Sequence, residues 1–239
     1  IFIIIIMNII EFKDCSYDNK NLVGGKCSSL GELYKLSHNL NFNIADGFAL
    51  TTILYDKYIE QNKLNILIEE TVDNLNYDDI QNLEDNSKKL IKEITEGTFK
   101  EEQIADITKY YDNLCNKYNN KNLEIAVRSS AIAEDMPNSS FAGQQDTYLN
   151  IFGIDNIILN IKMCFASLFN VRALSYRHSN NIKLCDVKIS VAIQKMVRSD
   201  IGSAGVAFSI DPESGYDKAI VLNSSFGLGE AVVGGLVTP

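Results

Sequence analysis

Ile125-Ala126-Val127-Arg128-Ser129-Ser130-Ala131 is the stretch that divides this sequence into two kinds of pattern. Its first three residues are a short apolar run, which predicts a buried strand. That strand is expected to end in Arg128 and two hydroxyls, delivering a fixed guanidinium to the end of a sheet. Upstream of it, apolar residues recur at helical spacing. Downstream, strand and helix patterns mix. Helices first and a mixed region after them predict an α+β fold.

Working outward on the C-terminal side, residues 129–146 are small and polar and hold Pro137, one of three prolines. A long helix is expected over residues 155–178, with Ile157, Ile158, Ile161, Phe165, Leu168, Phe169 and Leu174 as its apolar stripe. Strands follow over 187–197, 203–210 and 219–223, the last two joined by the turn Asp211-Pro212-Glu213-Ser214-Gly215. Gly227-Leu228-Gly229-Glu230 opens a final helical pattern. On the N-terminal side, residues 64–118 carry amphipathic helices: Ile80, Leu83, Leu90, Ile91 and Ile94, then Ile104, Ile107, Tyr111 and Leu114. Their expected role is scaffold. Thr51 or Thr52 caps a helix to Gln61 with Leu54, Tyr58 and Ile59 on one face. Gly24-Gly25 reads as a turn feeding a helix over 28–37, with Leu30, Leu33 and Leu36 at helical spacing.

The apolar run at residues 1–10 is half the roughly twenty needed to span a bilayer. It has no basic flank or small-residue cleavage site, so it reads as an edge strand, or as an upstream extension with Met7 the natural start. Across 239 residues, 46% hydrophobic and 22% charged composition excludes disordered and collagen-like classes. Lys and Arg number 22 against 31 Asp and Glu, a net charge of −9. That balance excludes a sequence-independent nucleic-acid binder, so an anionic ligand must meet a local cluster of cations. The five cysteines, at 15, 27, 115, 164 and 185, form no C-x-x-C pair. They read as reduced thiols of a cytoplasmic protein rather than disulfides or a zinc site.

Three stretches suit a phosphate. Gly24-Gly25-Lys26 before a helix offers backbone N–H groups, a helix N-terminus and an ammonium. It is no P-loop, since Lys20 stands where that motif needs its first glycine and Cys27 where it needs Ser or Thr. A turn beside a solvated lysine is the competing reading. Arg128 offers a fork that matches phosphate oxygens, against a pairing with Glu134 or Asp135. Ser139-Ser140-Phe141-Ala142-Gly143-Gln144-Gln145-Asp146-Thr147 offers main-chain N–H groups around a triphosphate, or is an ordinary surface loop. Gly227-x-Gly229 says little. His38 and His178 belong to no triad or metal spacing.

Taken in order, these segments resemble one family. They are Val23-Gly24-Gly25-Lys26, residues 126–137, residues 140–150, Gln194-Lys195-Met196-Val197-Arg198-Ser199-Asp200 and Ser224-Ser225-Phe226-Gly227-Leu228-Gly229-Glu230. They look like the N-terminal ATP-grasp nucleotide-binding domain of the phosphoenolpyruvate synthase and pyruvate phosphate dikinase family. The likeness runs over residues 21–239 and is weakest over 62–120. Within the family, 196–200 followed by 205–211 is most similar to the phosphoenolpyruvate synthase branch. Rifampicin phosphotransferases share 141–150 and are the runner-up, with the pyruvate phosphate dikinase ATP-binding domain or a non-catalytic nucleotide-binding fragment as further alternatives. One departure is Ile44-Ala45-Asp46-Gly47-Phe48, where the family has a proline-rich approach. It is expected to loosen a turn and to touch no proposed ligand contact.

The resemblance implies an ATP-grasp fold of two lobes, residues 1–195 with 1–20 as an N-terminal extension, and 196–239 as the incomplete start of the second. It implies that Lys26 and Arg128 hold the ATP phosphates as the catalytic pair and that Gly143 and Thr147 form the loop over them. Gln194, Met196 and Val197 would face the adenine. Mg2+ would be held by carboxylates downstream of this chain; Glu134, Asp135, Asp146 and Glu230 match no family metal position. Pyruvate and phosphohistidine domains, and a homodimer, belong to the implied full-length protein. This chain alone is expected not to complete the reaction.

Overall fold

A computed structural model describes residues 7–132, 146–182 and 187–237, arranged as two compact units, Ile1–Met196 and Val197–Pro239. The expectations for residues 1–6 and for Gly143, and the pairing of Arg128 with Glu134 or Asp135, lie outside the described residues.

The first unit is built on an antiparallel sheet. Its strands are β1 (Ile9–Glu11), β2 (Gly47–Leu50), β3 (Ile125–Ala131), β4 (Thr147–Ile151) and β5 (Ile189–Lys195), in spatial order β1-β2-β5-β3-β4. Between them run α1 (Lys20–Leu40), α2 (Thr52–Gln61), α3 (Leu64–Asp73), α4 (Ile80–Glu96), α5 (Glu101–Lys117), α6 (Ile154–Ala166) and α7 (Val171–Ser179). Mixed helix and antiparallel sheet is the α+β class.

Strand periodicity sends alternate side chains to opposite faces. One face carries Ile9, Phe48, Leu50, Val127, Val191 and Ile193, and is buried under a helical layer contributing Leu54, Leu90, Ile107, Ile157 and Phe165. The other carries Ile10, Ala49 and Ala192, and is covered by α1 through Val23 and Cys27. Two buried hydroxyls of the helical layer are satisfied: Tyr58 donates to Ile94 O at 2.7 Å and Ser87 to Phe169 O at 2.8 Å.

Several local expectations are corrected. The strand from Ile125 does not stop at Arg128; it runs to Ala131 and puts Arg128 in mid-strand. The long helix over 155–178 is two helices separated by a 3-10 turn at Ser167–Phe169. Asn170 starts α7 by accepting the Ala173 N–H at 2.8 Å, and Arg177 fastens the break by donating to Leu168 O at 2.6 Å. The run Ile154–Ser179 is long and apolar enough to cross a membrane by composition, but its stripe residues Ile157, Ile161, Phe165, Phe169 and Leu174 are buried in the core. Thr51 precedes α2, yet its hydroxyl donates to Met7 O at 2.8 Å and caps nothing.

Helix α1 is the largest surprise. The expected stripe residues Leu33 and Leu36 are exposed, as is Leu40. The buried side is Val23, Gly24, Cys27, Ser28 and Gly31, a row of mostly small residues. A Cβ on Gly31 would sit 2.1 Å from Cys15 O. Small size, not hydrophobicity, lets this helix lie close to its support.

The second unit is a two-stranded antiparallel sheet of β6 (Ser203–Phe208) and β7 (Val221–Phe226), with the four-residue α8 (Glu230–Val233). Its connecting turn is closed by Gly215 N–H on Asp211 O at 2.9 Å. No side chain of its described residues is buried.

Candidate functional site

The site begins with a close approach of α1 to β3. Gly24 interrupts helical geometry at φ 73°, ψ 173°, a region open essentially to glycine alone. A Cβ there would lie 2.2 Å from Ser130 O and 2.4 Å from Ser130 Oγ. With no side chain in the way, Ser130 Oγ donates to Val23 O at 3.0 Å and accepts the Cys27 N–H at 3.4 Å. One first-turn amide that the sequence offers to a phosphate is therefore satisfied by Ser130. Lys26, in the first turn after Gly24 and Gly25, donates from Nζ to Ser129 O at 3.1 Å. Ser129 in turn donates its N–H to Asp146 O at 3.2 Å, tying β3 to the residue before β4.

Arg128 lies on the α1 side of the sheet. It is paired with Ala192, which is paired with Ala49, and these share one face. On its other flank Arg128 is paired with Thr147, the exposed first residue of β4. Two residues along the same face, Gln194 opposes Ala126. Its Oε1 accepts from Arg128 Nη1 at 3.2 Å, and its Nε2 donates to Ala45 O at 3.4 Å. Arg128 Nε is buried and has no hydrogen-bond partner among the described residues. That donor suits an anion, since a buried N–H left unmet is costly.

Both cations act on one buried thiol. Burial pushes the Cys27 thiol up to about 11, while the neighbouring Ser130 and Ser190 hydroxyls and the charges of Arg128 and Lys26 pull it back. Cys164 on α6 is pushed up by burial, further by Asp146, and drawn down by Lys26. Lys26 and Arg128, distant in sequence, thus both act on Cys27, and Lys26 and Asp146 on Cys164.

Of the sequence-predicted residues, Lys26, Arg128, Thr147 and Gln194 gather around the middle of β3. Met196 is half-buried just past β5, its N–H on Glu124 O at 2.9 Å. Val197 is exposed and belongs to the second unit. Ser129, Ser130 and Ala45 were missed: they act through a backbone carbonyl or a hydroxyl turned to a helix start, and no residue pattern announces such a role. The reading of 44–48 is corrected too. Ala45 O holds Gln194 and Asp46 O accepts the Lys195 N–H at 2.8 Å, so this segment does touch a proposed ligand residue. Burial raises the Asp46 carboxyl, but the Lys117 ion pair at 2.7 Å and the Tyr118 hydroxyl outweigh it and hold the pKa below the usual range.

Among the described residues no group of three or more His, Cys, Asp or Glu side chains could hold a metal ion. A cavity of about 710 Å3 bounded by Gln61, Thr98, Lys100 and Glu102 contains none of the site residues. His38 bonds Tyr34 O at 3.0 Å, and His178 stacks on Tyr77 with centroids 3.7 Å apart.

An α+β unit with two cations converging at a glycine-started helix defines a candidate anion- or nucleotide-binding domain. Residues 20–239 match the family model described as pyruvate phosphate dikinase, AMP/ATP-binding domain, and the chain belongs to that family. It is similar to phosphoenolpyruvate synthase of Helicobacter pylori, 46% identical over 229 residues, covering 95% of this chain and 28% of the relative. It is also similar to the proteins of that name from Aquifex aeolicus (42% identical; 91% and 26% covered) and Escherichia coli (39% identical; 97% and 29% covered). The chain spans about a quarter to a third of the length of such curated relatives. These names do not favour the rifampicin phosphotransferase reading.

Proposed function

We propose that this chain is the ATP-binding portion of a phosphoenolpyruvate synthase, with residues 1–195 as the first lobe of an ATP-grasp fold and 196–239 as the start of the second. The observation that carries the reading is the convergence of Lys26 and Arg128 on one side of the sheet beside Thr147, with Arg128 Nε buried and unmatched. In this proposal Lys26 neutralises phosphate charge as a point cation, and Arg128 grips two oxygens through its planar fork. Gly143 would belong to the loop over the phosphates; Thr147, expected in that loop, is instead the first residue of β4 and would border it. Met196 and Val197 lie beside the adenine.

In the full-length protein, the overall reaction would consume ATP, pyruvate and water and give AMP, phosphoenolpyruvate and phosphate, through a histidine carrier on another domain. Phosphoryl transfer depends on positioning and charge neutralisation. A bound Mg2+ would supply part of that neutralisation, and its ligands are expected outside the described residues. The protein would act in the cytoplasm, and a homodimer remains part of the proposal.

The test is calorimetric titration of the chain with ATP. Weak binding is expected, and Arg128→Lys is expected to weaken it further by about 1–3 kcal/mol, because charge is kept while the bidentate fork is lost. ATP binding that is absent, or indifferent to both Arg128→Lys and Lys26→Ala, overturns the site. The chain alone is expected to release no AMP from ATP and pyruvate; pyruvate-dependent AMP release abolished by Lys26→Ala would show that it holds a complete reaction centre.

A further inference from the structure

Gln194 is set by the family resemblance against the adenine, yet both ends of its amide are engaged elsewhere. Nε2 donates to Ala45 O at 3.4 Å, and Oε1 accepts from Arg128 Nη1 at 3.2 Å. The orientation of the amide follows from these partners: a carbonyl needs a donor facing it, and a guanidinium offers only donors. Ala45 itself is held, since the next residue, Asp46, accepts the Lys195 N–H through its carbonyl and ties its carboxylate to Lys117 and Tyr118. A continuous set of bonds therefore runs from the end of α5 through residues 45 and 46 to Gln194 and on to Arg128.

Arg128 needs such a support. Its strand fixes its backbone through pairing with Ala192 and Thr147, but not the rotation of its long side chain. The hydrogen bond to Gln194 is the contact among the described residues that sets the plane of the guanidinium, and a fork grips two oxygens only when its plane is set. We infer that Gln194 is a positioning residue that orients the Arg128 guanidinium for the phosphates, rather than a reader of the base. The inference rests on the ATP-binding reading for what Arg128 grips, but not for the contact itself.

The experiment uses the full 239-residue chain and its Gln194→Ala, Arg128→Ala and double variants. Ligands are ATP, inorganic tripolyphosphate and adenosine, titrated separately; thermal unfolding and 15N relaxation of the Arg128 Nε–Hε group are followed without ligand. Gln194→Ala is expected to mobilise the Arg128 side chain while the fold and its cooperative unfolding are retained. It should weaken ATP and tripolyphosphate alike, on the order of tenfold, and leave adenosine unaffected. In the Arg128→Ala background it should add nothing. Weaker ATP and adenosine with unchanged tripolyphosphate would make Gln194 a base contact and overturn the inference. So would loss of all three ligands with a lowered unfolding temperature, which is a purely structural effect, or an Arg128 signal that does not change. A wild-type chain that binds no ATP, but whose Arg128 is mobilised by Gln194→Ala, refutes the ATP reading and leaves the positioning contact standing.

Discussion

Ile193 and Phe226 are both apolar residues on antiparallel strands, and their surroundings differ completely. Ile193 is fully buried, paired with Phe48 on one side and Val127 on the other, beneath a layer of helices. Phe226 is 90% exposed on a sheet of two strands. The first unit covers both faces of the strands in the middle of its sheet; the second has two strands and one four-residue helix, too little to close over either face. A lone two-stranded hairpin is marginal in water. The contrast teaches that apolar strand pattern predicts a strand and not its burial, which depends on how many neighbours reach it.

The sharpest way to break this contrast is to truncate one aromatic in each unit. Phe165 is buried against Tyr55, Tyr58 and Phe99. Phe165→Ala should cost about 3–5 kcal/mol in urea unfolding, and Phe226→Ser should stay within about 0.5 kcal/mol. Comparable losses would mean that Phe226 is covered in solution.

Glycines sharpen it next. Gly24 and Gly215 share a positive φ, 73° and 72°, but only Gly24 faces neighbouring atoms. Gly24→Ala should cost about 1–3 kcal/mol or more, because strain and collision with Ser130 add. Gly215→Ala, with open space around it, should cost only the left-handed strain, about 1 kcal/mol. Equal costs by the same unfolding assay would remove Ser130 from the account.

Alkaline pH separates the units by composition, since all five cysteines precede residue 197. The Cys27 thiol is raised from an ordinary value of 9.0 to about 11 by burial. A raised folded pKa contributes stability that is fully present below 9 and is lost as pH climbs toward 11, because the unfolded chain ionises first. Urea midpoints should fall across that window, and by less in Cys27→Ala. An identical fall in that variant would assign the effect to other thiols and phenols.

The smallest effect is expected at Asp46. Its partner Lys117 is exposed, so Asp46→Asn should cost about 0.2–1 kcal/mol at low salt and less at high salt. A salt-independent loss would mean that its hydrogen bonds, not its charge, hold the segment.

Local chemistry was enough to make several elements legible. Helices α4 and α5 follow from the recurrence of Leu83, Leu90, Ile94, Ile107 and Leu114, and β5 and β6 from runs bounded by turns, because periodicity and turn residues act within a few positions. The same locality made Gly24-Gly25-Lys26 and Arg128 visible as phosphate-suited groups. Tertiary structure alone decided the rest. It turned Leu33 and Leu36 outward and the small residues Cys27, Ser28 and Gly31 inward, because what a helix buries is set by the surface it meets. It carried β3 past Arg128, since Ser129 and Ser130 find strand partners in Val191 and Ser190. It also engaged Gln194 with Ala45 and Arg128, because hydrogen bonds between residues 149 and 66 positions apart exist only after the chain has folded.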